Sequence, residues 1–599
     1  MMKKTVFLAV CGMMLQCWAG ISGLQGEYRN GQVFLQWQEK DLPADARLSV
    51  WSSSEPISVA TLGKAEKVAA MLNTRSANDW WLNPQMFHTK RSKKARSEEI
   101  FAGKVADTDT AKLKEQGFVI TDRGEPLAPD GGLHVHTPKS GQTGSRYFAV
   151  TLHKGTGSEV LGITATTSPV SVGKGKANAI ALKGAVTSAA TAGKPLVVYL
   201  HGRGGGSGVD SKGNAVGTHL LFTDSDIAWR EGIPVKFTVR AAKNGTVELV
   251  LNDRIWAGRK LTAKESSDRR DHVHAIATFW LGYNPNIGVG NFGPEFKWDN
   301  YTERLVIHIV RWVQENYKVD KNRTYLRGGS MGGSGSVHIA LHYPEMFAAV
   351  LAYVPVYSYT WEKTAGYPKL PPSIGRIQCS VGLFKPTDKV LSPDGKDLLE
   401  YGNGAKNINR PAVDMPPIFA SNGRKDMSIP WVNNPPFYRA ANEAKQAFAV
   451  NWCNGPHSLR EGRDIPKVLP LKQMLMYRLD QCFPAFSNCS DNKNYGNGDP
   501  ADGDLTGWIN RGMQWKNVTD TPERLEIELF AEHEDMLYPV KCDVTLRRRQ
   551  QFRFAPGTRI YVTVNGEKRE TFIDKNGLLT VENVVFKNAD PVKVVCTLK

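Results

Sequence analysis

The sequence predicts a multidomain chain: a central α/β domain with a mainly parallel sheet and helices on both faces, flanked by N-terminal and C-terminal β-sandwich domains. Three observations carry this. Between about 194 and 490, short apolar runs alternate with stretches of helical spacing, the pattern of strands buried on both faces and of the helices that cover them. On either side the period changes to two, with Val33, Leu35 and Trp37 alternating with polar neighbours early, and Leu525, Ile527 and Leu529 doing so late. The third is length: 599 residues exceed what one core holds, since single cores rarely grow past about 250–300 residues.

The elements follow in order. Lys3 and Lys4 precede an apolar stretch, 5–18, and Ala19 is a fitting last residue before cleavage, so 1–19 reads as a secretory signal peptide, too short for a stable membrane anchor. Neither Cys11 nor Cys17 follows a small residue, which disfavours a lipoprotein. No later stretch reaches transmembrane length, and the mature chain is expected to be soluble and secreted or periplasmic. Residues 20–172 read as a β-sandwich with an insertion between about 74 and 131, whose basic run Lys90, Arg91, Lys93, Lys94 and Arg96 reads as a solvated loop. The Gly-, Ala-, Lys- and Ser-rich 173–193 reads as a linker, 194–490 as the α/β domain, and the Asn/Asp/Gly-rich 491–504 as a second linker, its acidic residues lacking calcium-loop spacing. A small β-sandwich fills 505–599, with a hairpin signal at Asn565-Gly566.

Composition is ordinary for a globular protein, with 41% hydrophobic and 23% charged residues. The formal charge of +17 can attract anionic polymers, but the basic residues are scattered and no nucleic-acid motif accompanies them, so a solvated basic surface is the first reading and an acidic glycan substrate the alternative. Six cysteines follow the signal: Cys379, Cys453, Cys482, Cys489, Cys542 and Cys596. No Cys-x-x-Cys pair points to zinc, and an even number in an exported chain favours disulfides. The first expected pair is Cys542–Cys596, with Cys482–Cys489 and Cys379–Cys453 as further pairs. No cofactor or metal is expected.

The chemistry centres on Arg327-Gly328-Gly329-Ser330-Met331-Gly332-Gly333. A short strand, 324–326, leads into it and a helix leaves it, so Ser330 falls on a tight strand-to-helix turn for which the glycines make room. The helix N-terminus then favours negative charge at the reacting carbon. A merely flexible glycine turn is the alternative, and the flanking strand and helix count against it. His201-Gly202-Arg203-Gly204-Gly205-Gly206 follows the apolar strand 195–200. It lacks the Gly-Lys-Ser/Thr ending of a phosphate-binding loop, and Gly202 and Arg203, with Met331 after the nucleophile, are the candidate oxyanion donors. A serine needs a base, and the base an orienting carboxylate. Beyond His338 and His342 on the nucleophile helix, only His457 and His533 remain. His533 falls in the C-terminal β region, which leaves His457 on Asn454-Gly455-Pro456-His457. For the carboxylate Asp426 is first choice, after the strand 417–420, with Asp414 next and Asp397 less well placed. The aromatic run 279–284 reads as core more readily than as a substrate pocket.

Leu200-His201-Gly202, Gly328-Gly329-Ser330-Met331-Gly332-Gly333, Asn422-Gly423-Arg424-Lys425-Asp426 and Gly455-Pro456-His457 resemble the α/β-hydrolase branch that includes feruloyl and acetylxylan esterases and polyhydroxyalkanoate depolymerases. The resemblance covers the middle half of the chain. It implies Ser330 as nucleophile, Asp426 as acid partner, His457 as base, and no cofactor. An insertion between 207 and about 277 departs from it; 235–251 reads there as a hairpin, either a lid or an added β element. The short strands of 20–172, with an early Trp and a late Tyr, resemble a fibronectin type III domain. The first expectation is therefore an exported serine ester hydrolase acting on polysaccharide-linked or aryl/acyl esters, with no nucleic-acid partner. A prolyl-oligopeptidase-like peptidase, for which no propeller repeat is visible, and a noncatalytic glycan-binding protein on a hydrolase scaffold are the alternatives. Because every candidate group lies between 201 and 457, a chain trimmed to about 183–490 should keep hydrolysis of a small ester.

Overall fold

The computed structural model describes residues 20–29, 32–43, 46–75, 127–128, 131–136, 138, 143–153, 159–165, 168–173, 179–181, 188–203, 235–251, 253–256, 275–284, 298–359, 372–392, 394–460, 463–469 and 471–598. The expected signal peptide, the 90–96 basic run and Gly204-Gly205-Gly206 lie outside these residues. Among the described residues no helix is long and apolar enough to cross a membrane.

In the N-terminal region Gly20–Arg29, Gln32–Lys40 and Gly131–His136 form one antiparallel sheet. Glu66–Asn73, Arg47–Ser53, Gly144–His153 and Glu159–Ala165 form a second, with Val170–Val172 on Gly144–His153. Alternation puts Val33, Leu35 and Trp37 on one side of the first sheet and Leu48 and Val50 on one side of the second. These sides meet, with Phe148 and Val150, in a single core.

The central sheet has nine strands, in the order Gly507–Ile509, Phe448–Cys453, Ile418–Gly423, Ala349–Tyr353, Thr324–Gly329, Leu196–Leu200, Val247–Val250, Val235–Ala241 and Ala179–Ala181. Pairing is parallel from Phe448–Cys453 through Val247–Val250. Ile418–Gly423 and Phe448–Cys453 are buried at every position, as strands covered on both faces must be. One face packs against the helices Tyr301–Asn316, Met331–His342 and Asn434–Glu443 through residues such as Val310, Ile339 and Phe437.

The other face corrects the expectation of helices on both sides. Val197, Tyr325, Leu351, Phe419 and Ala449 share a core with Phe483, Leu525, Ile527, Val544, Leu546 and Val581 of the C-terminal β region. Among the described residues only the one-turn helix Leu471–Met474 joins them there. Hydrogen bonds cross the same boundary: the Tyr325 hydroxyl donates to the carbonyls of Leu475 (3.0 Å) and Tyr477 (2.7 Å). Arg547, its side chain fully buried, pairs with Asp414 at 3.1 Å and donates to the carbonyls of Pro411 (2.9 Å) and Val413.

The C-terminal region has a three-stranded sheet, Phe483–Ser487, Val540–Arg547 and Leu579–Phe586, and a five-stranded one, Met513–Asp520, Arg524–Ala531, Val592–Thr597, Arg559–Val564 and Glu567–Phe572. Strands cross the expected 490/505 boundaries in both directions. Phe483–Ser487 leaves the α/β segment to pair with Val540–Arg547, while Gly507–Ile509 returns to pair with Phe448–Cys453. The expected linker 173–193 likewise contributes the strand Ala179–Ala181 and the short helix Ser188–Thr191. The 235–251 hairpin is a member of the central sheet, not a lid.

No disulfide joins the six cysteines, all of which are buried. Cys542 lies on the three-stranded sheet beside Val584, and Cys596 on the five-stranded sheet between Leu525 and Val562. Membership in one small domain does not by itself bring two Cβ atoms to bonding distance.

Candidate active site

Thr324–Gly329 ends and Met331–His342 begins with one residue between them, Ser330, whose φ of 56° and ψ of −120° lie where an L residue is strained by about 1–3 kcal/mol. The neighbours hold it there. Its N–H donates to the Tyr353 carbonyl at 2.8 Å, and its carbonyl accepts from the Ser334 N–H (2.9 Å) and hydroxyl (3.0 Å). The turn also needs close backbone approach: a Cβ on Gly332 would sit 1.9 Å from the Leu200 carbonyl oxygen. The result points Ser330 Oγ out of the sheet's edge instead of along a strand.

The carboxylate and the histidine reach it from the ends of Ile418–Gly423 and Phe448–Cys453, two and three strands along the sheet. His457 Nε2 lies 2.8 Å from Ser330 Oγ, and His457 Nδ1 lies 2.6 Å from Asp426 Oδ2. The second Asp426 oxygen accepts the N–H groups of Ser428 (2.7 Å) and Ile429 (2.8 Å). The Asp426 side chain is 1% exposed while that of His457 is 33% exposed, so the carboxylate is enclosed and the imidazole stays reachable. Two backbone bonds tie the loops together, Arg424 N–H to the Cys453 carbonyl (2.9 Å) and Lys425 N–H to the Gly455 carbonyl (3.0 Å).

The other candidates have different partners. Asp414 pairs with Arg547, and Asp397 caps Leu398–Tyr401 by accepting from Leu399 and Glu400. His338 is buried, stacks on Tyr359 at 5.0 Å, and is pushed down to about 3, chiefly by burial. His342 Nδ1 lies 2.9 Å from buried Glu303, and His533 Nε2 lies 2.8 Å from Asp491.

The loop after Leu196–Leu200 runs past Ser330. A Cβ on Gly202 would come 3.0 Å from the Gly329 carbonyl oxygen and 3.6 Å from Ser330 Cβ, so only glycine fits comfortably. Met331 is the first residue of its helix, and such an N–H has no partner within the helix itself. His201 braces the loop: Nδ1 donates to the Gly202 carbonyl (2.8 Å) and Nε2 accepts from the Asp253 N–H (2.9 Å). Trp280 donates to the His201 carbonyl at 3.1 Å, and buried Asp253 accepts from the N–H groups of Thr278 (2.8 Å) and Trp280 (3.3 Å). Phe279 and Trp280 are therefore an enclosed wall under this loop, with the Arg203 guanidinium 5.7 Å from the Phe279 ring. Sequence reasoning missed Asp253, because the strand Val247–Val250 that delivers it lies inside the departing insertion. Among the described residues no group of three or more His, Cys, Asp or Glu is placed to hold a metal ion.

Residues 277–447 match the Esterase family model, a span that contains Ser330 and Asp426 and stops short of His457. No curated protein matches the chain. Solved structures it is similar to include an S-formylglutathione hydrolase from Agrobacterium tumefaciens, at 14% identity over 45% of this chain and 78% of that one, with a TM-score of 0.28. A ferulic acid esterase is similar at 15% identity over 44% and 79%, with a TM-score of 0.23. Thermogutta terrifontis esterase 2 is similar at 14% identity over 48% and 82%, with a TM-score of 0.26. The central part of the chain is an α/β-hydrolase domain of the Esterase type, set beside a β-rich remainder of several sheets.

Proposed function

We propose that this chain is an exported serine ester hydrolase that works through Ser330, His457 and Asp426. The observation that carries the proposal is the unbroken hydrogen-bond line from Ser330 Oγ through both His457 nitrogens to Asp426, with the serine on a strained turn at a helix N-terminus. His457 Nε2 takes the Ser330 proton as Oγ attacks the ester carbonyl, and Asp426 steadies the imidazolium through Nδ1–H. The oxyanion forms against the Met331 N–H and the Gly202-Arg203 backbone. His457 then protonates the departing alcohol, and a water, activated by the same nitrogen, cleaves the acyl-enzyme.

Polysaccharide-linked esters are the substrate class we infer. The basic balance of +17 suits an acidic glycan, and the N-terminal sheets that enclose Trp37 suit an accessory module of the fibronectin type III kind. Lys3 and Lys4 before the apolar 5–18 support export. The test is a panel of acetyl, feruloyl and longer-chain esters with a prolyl peptide alongside, run on the mature chain and on Ser330→Ala. The variant should lose about 10³-fold or more of any turnover. Undiminished turnover in Ser330→Ala would overturn the reading, and turnover of the peptide alone would move it to a peptidase.

A further inference from the structure

We infer that Arg424 is a positioning residue for the active site, and that the 494–504 loop is the socket that holds it; the inference rests on Asp426 being the acid partner of His457. Arg424 sits two residues before Asp426 and is 1% exposed. Nη1 donates to the Asp504 carbonyl (2.8 Å), and Nε donates to that of Pro500 (3.2 Å). Nη2 donates to the carbonyls of Pro500 (2.7 Å), Asp499 (3.1 Å) and Asp502. One face of the guanidinium lies 4.9 Å from the Trp431 ring centre. Four backbone carbonyls thus converge on a single buried cation, much as they would around a metal ion. Burial lowers the affinity of Arg424 for its proton, and Asp502, Asp504 and Asp499 oppose that effect.

The socket is braced by hydrogen bonds of its own. Asp502 accepts from the Asn497 N–H (2.9 Å), Asp504 from the Asn494 N–H (2.8 Å), and Asn497 from the Asp499 N–H (2.9 Å). The loop also touches both sides of the site. Trp431, shortly after Asp426, donates to the Tyr495 carbonyl (3.3 Å), and Trp452, shortly before His457, donates to the Asp504 carbonyl (2.8 Å). Arg424 itself reaches the histidine side through its N–H on the Cys453 carbonyl. Asp426 therefore stays within 2.6 Å of His457 through a contact with residues that follow the histidine by some forty positions. Without the guanidinium the Pro500 and Asp502 carbonyls lose the donor that binds them, those of Asp499 and Asp504 keep only the Asp502 N–H and the Trp452 indole, and the 424–426 turn loses its anchor. A shift of about 1 Å in such a group costs up to about a hundredfold in rate.

The experiment compares the mature chain with Arg424→Ala, Arg424→Lys and Ser330→Ala. The readouts are the rate at which a fluorophosphonate probe labels Ser330, with fluoride leaving as Oγ bonds to phosphorus and His457 taking the proton, and the pH profile of that rate. Arg424→Ala should label at least tenfold more slowly, with a pH profile that departs from the parent's because the imidazole has lost a well-placed carboxylate. Millimolar guanidinium ion should restore part of the rate, while equal sodium chloride should not. Arg424→Lys should fall between the two. If Arg424→Ala melts lower yet labels at the parent rate with an unchanged profile, Arg424 is structural only and the inference fails. If Arg424→Ala does not fold, Arg424→Lys decides by the same profile. Labelling that persists in Ser330→Ala would instead sink the triad reading on which the inference stands.

Discussion

The strands of 20–172 and those of 483–597 have the same period-two texture, and the molecule uses them differently. The first set closes Val33, Leu35 and Trp37 against Leu48, Val50, Phe148 and Val150 in a core whose members all precede residue 173. The second closes Leu525, Ile527 and Val544 in a core that also takes in Val197, Tyr325, Leu351 and Phe419 of the central sheet. One β region satisfies itself. The other is half of the interior of its neighbour, and supplies the loop that receives Arg424. A self-contained core and a wall of a neighbouring core can thus be written in the same alternating pattern.

The largest effect should come from deleting each region in turn. A chain ending at Ser490 loses the socket loop, the strand Gly507–Ile509 and the Leu525, Ile527 and Val544 part of the core that Tyr325 and Phe419 share. It should be insoluble or lack fixed tertiary structure, contrary to the expectation that 183–490 suffices for a small ester. A chain beginning at Gly173 should keep a native near-ultraviolet dichroism spectrum and small-ester hydrolysis. Equal loss from both deletions would erase the contrast.

Point changes of similar cost then separate the regions. Arg547→Met removes a fully buried guanidinium from the Pro411 and Val413 carbonyls and from the more exposed Asp414, and should cost about 3 kcal/mol, lowering the temperature at which hydrolysis is lost. Leu48→Ala, at a fully buried site in the self-contained core, should cost about 3 kcal/mol too, but as an earlier separate transition that leaves hydrolysis unchanged. A calorimetric trace with one merged transition for both variants would show that the N-terminal region is coupled to the rest after all.

Acid probes the central domain from its helical face. Burial holds the His338 imidazole near 3 and that of His308 near 4, below the ordinary 6.5. Their folded form is neutral, so they cost nothing above pH 6.5. As pH falls through 6.5 the unfolded chain takes up protons first, and stability declines until the folded rings titrate near 3–4. His338 alone should remove about 2 kcal/mol by pH 5, and His338→Gln should flatten the fall of melting temperature between pH 6.5 and 4. An unchanged slope would mean another group governs acid unfolding. Smallest of all, Tyr325→Phe loses its bonds to the Leu475 and Tyr477 carbonyls and should cost about 1 kcal/mol, measured by urea unfolding.

Parts of the site are legible because their chemistry is local. A tight turn between a strand and a helix needs glycine neighbours, and those around Ser330 announce it. His457 is reachable by elimination, since few histidines follow the nucleophile helix. Asp426 stands out from Asp414 and Asp397 only weakly, because all three lie near strand or helix ends; their partners, Arg547 for one and helix N–H groups for another, separate them. Arg424 enters the sequence reading only as a member of the turn before Asp426, with nothing to mark its own role. It binds carbonyl oxygens, which every residue carries, so nothing in 494–504 advertises an arginine site.

By itself the sequence determined the alternation of Val33–Trp37 and Leu525–Leu529, the parallel, fully buried strands of the central sheet, the Asn565-Gly566 hairpin and the bend at Ser330. Each follows from side-chain period or backbone sterics over a few residues. Only the tertiary structure decided what covers Tyr325 and Phe419, why Cys542 and Cys596 do not pair, and how the expected linker 491–504 becomes a socket. An apolar face requires cover without naming it, because hydrophobic burial has no direction, and helices or a second sheet satisfy it equally.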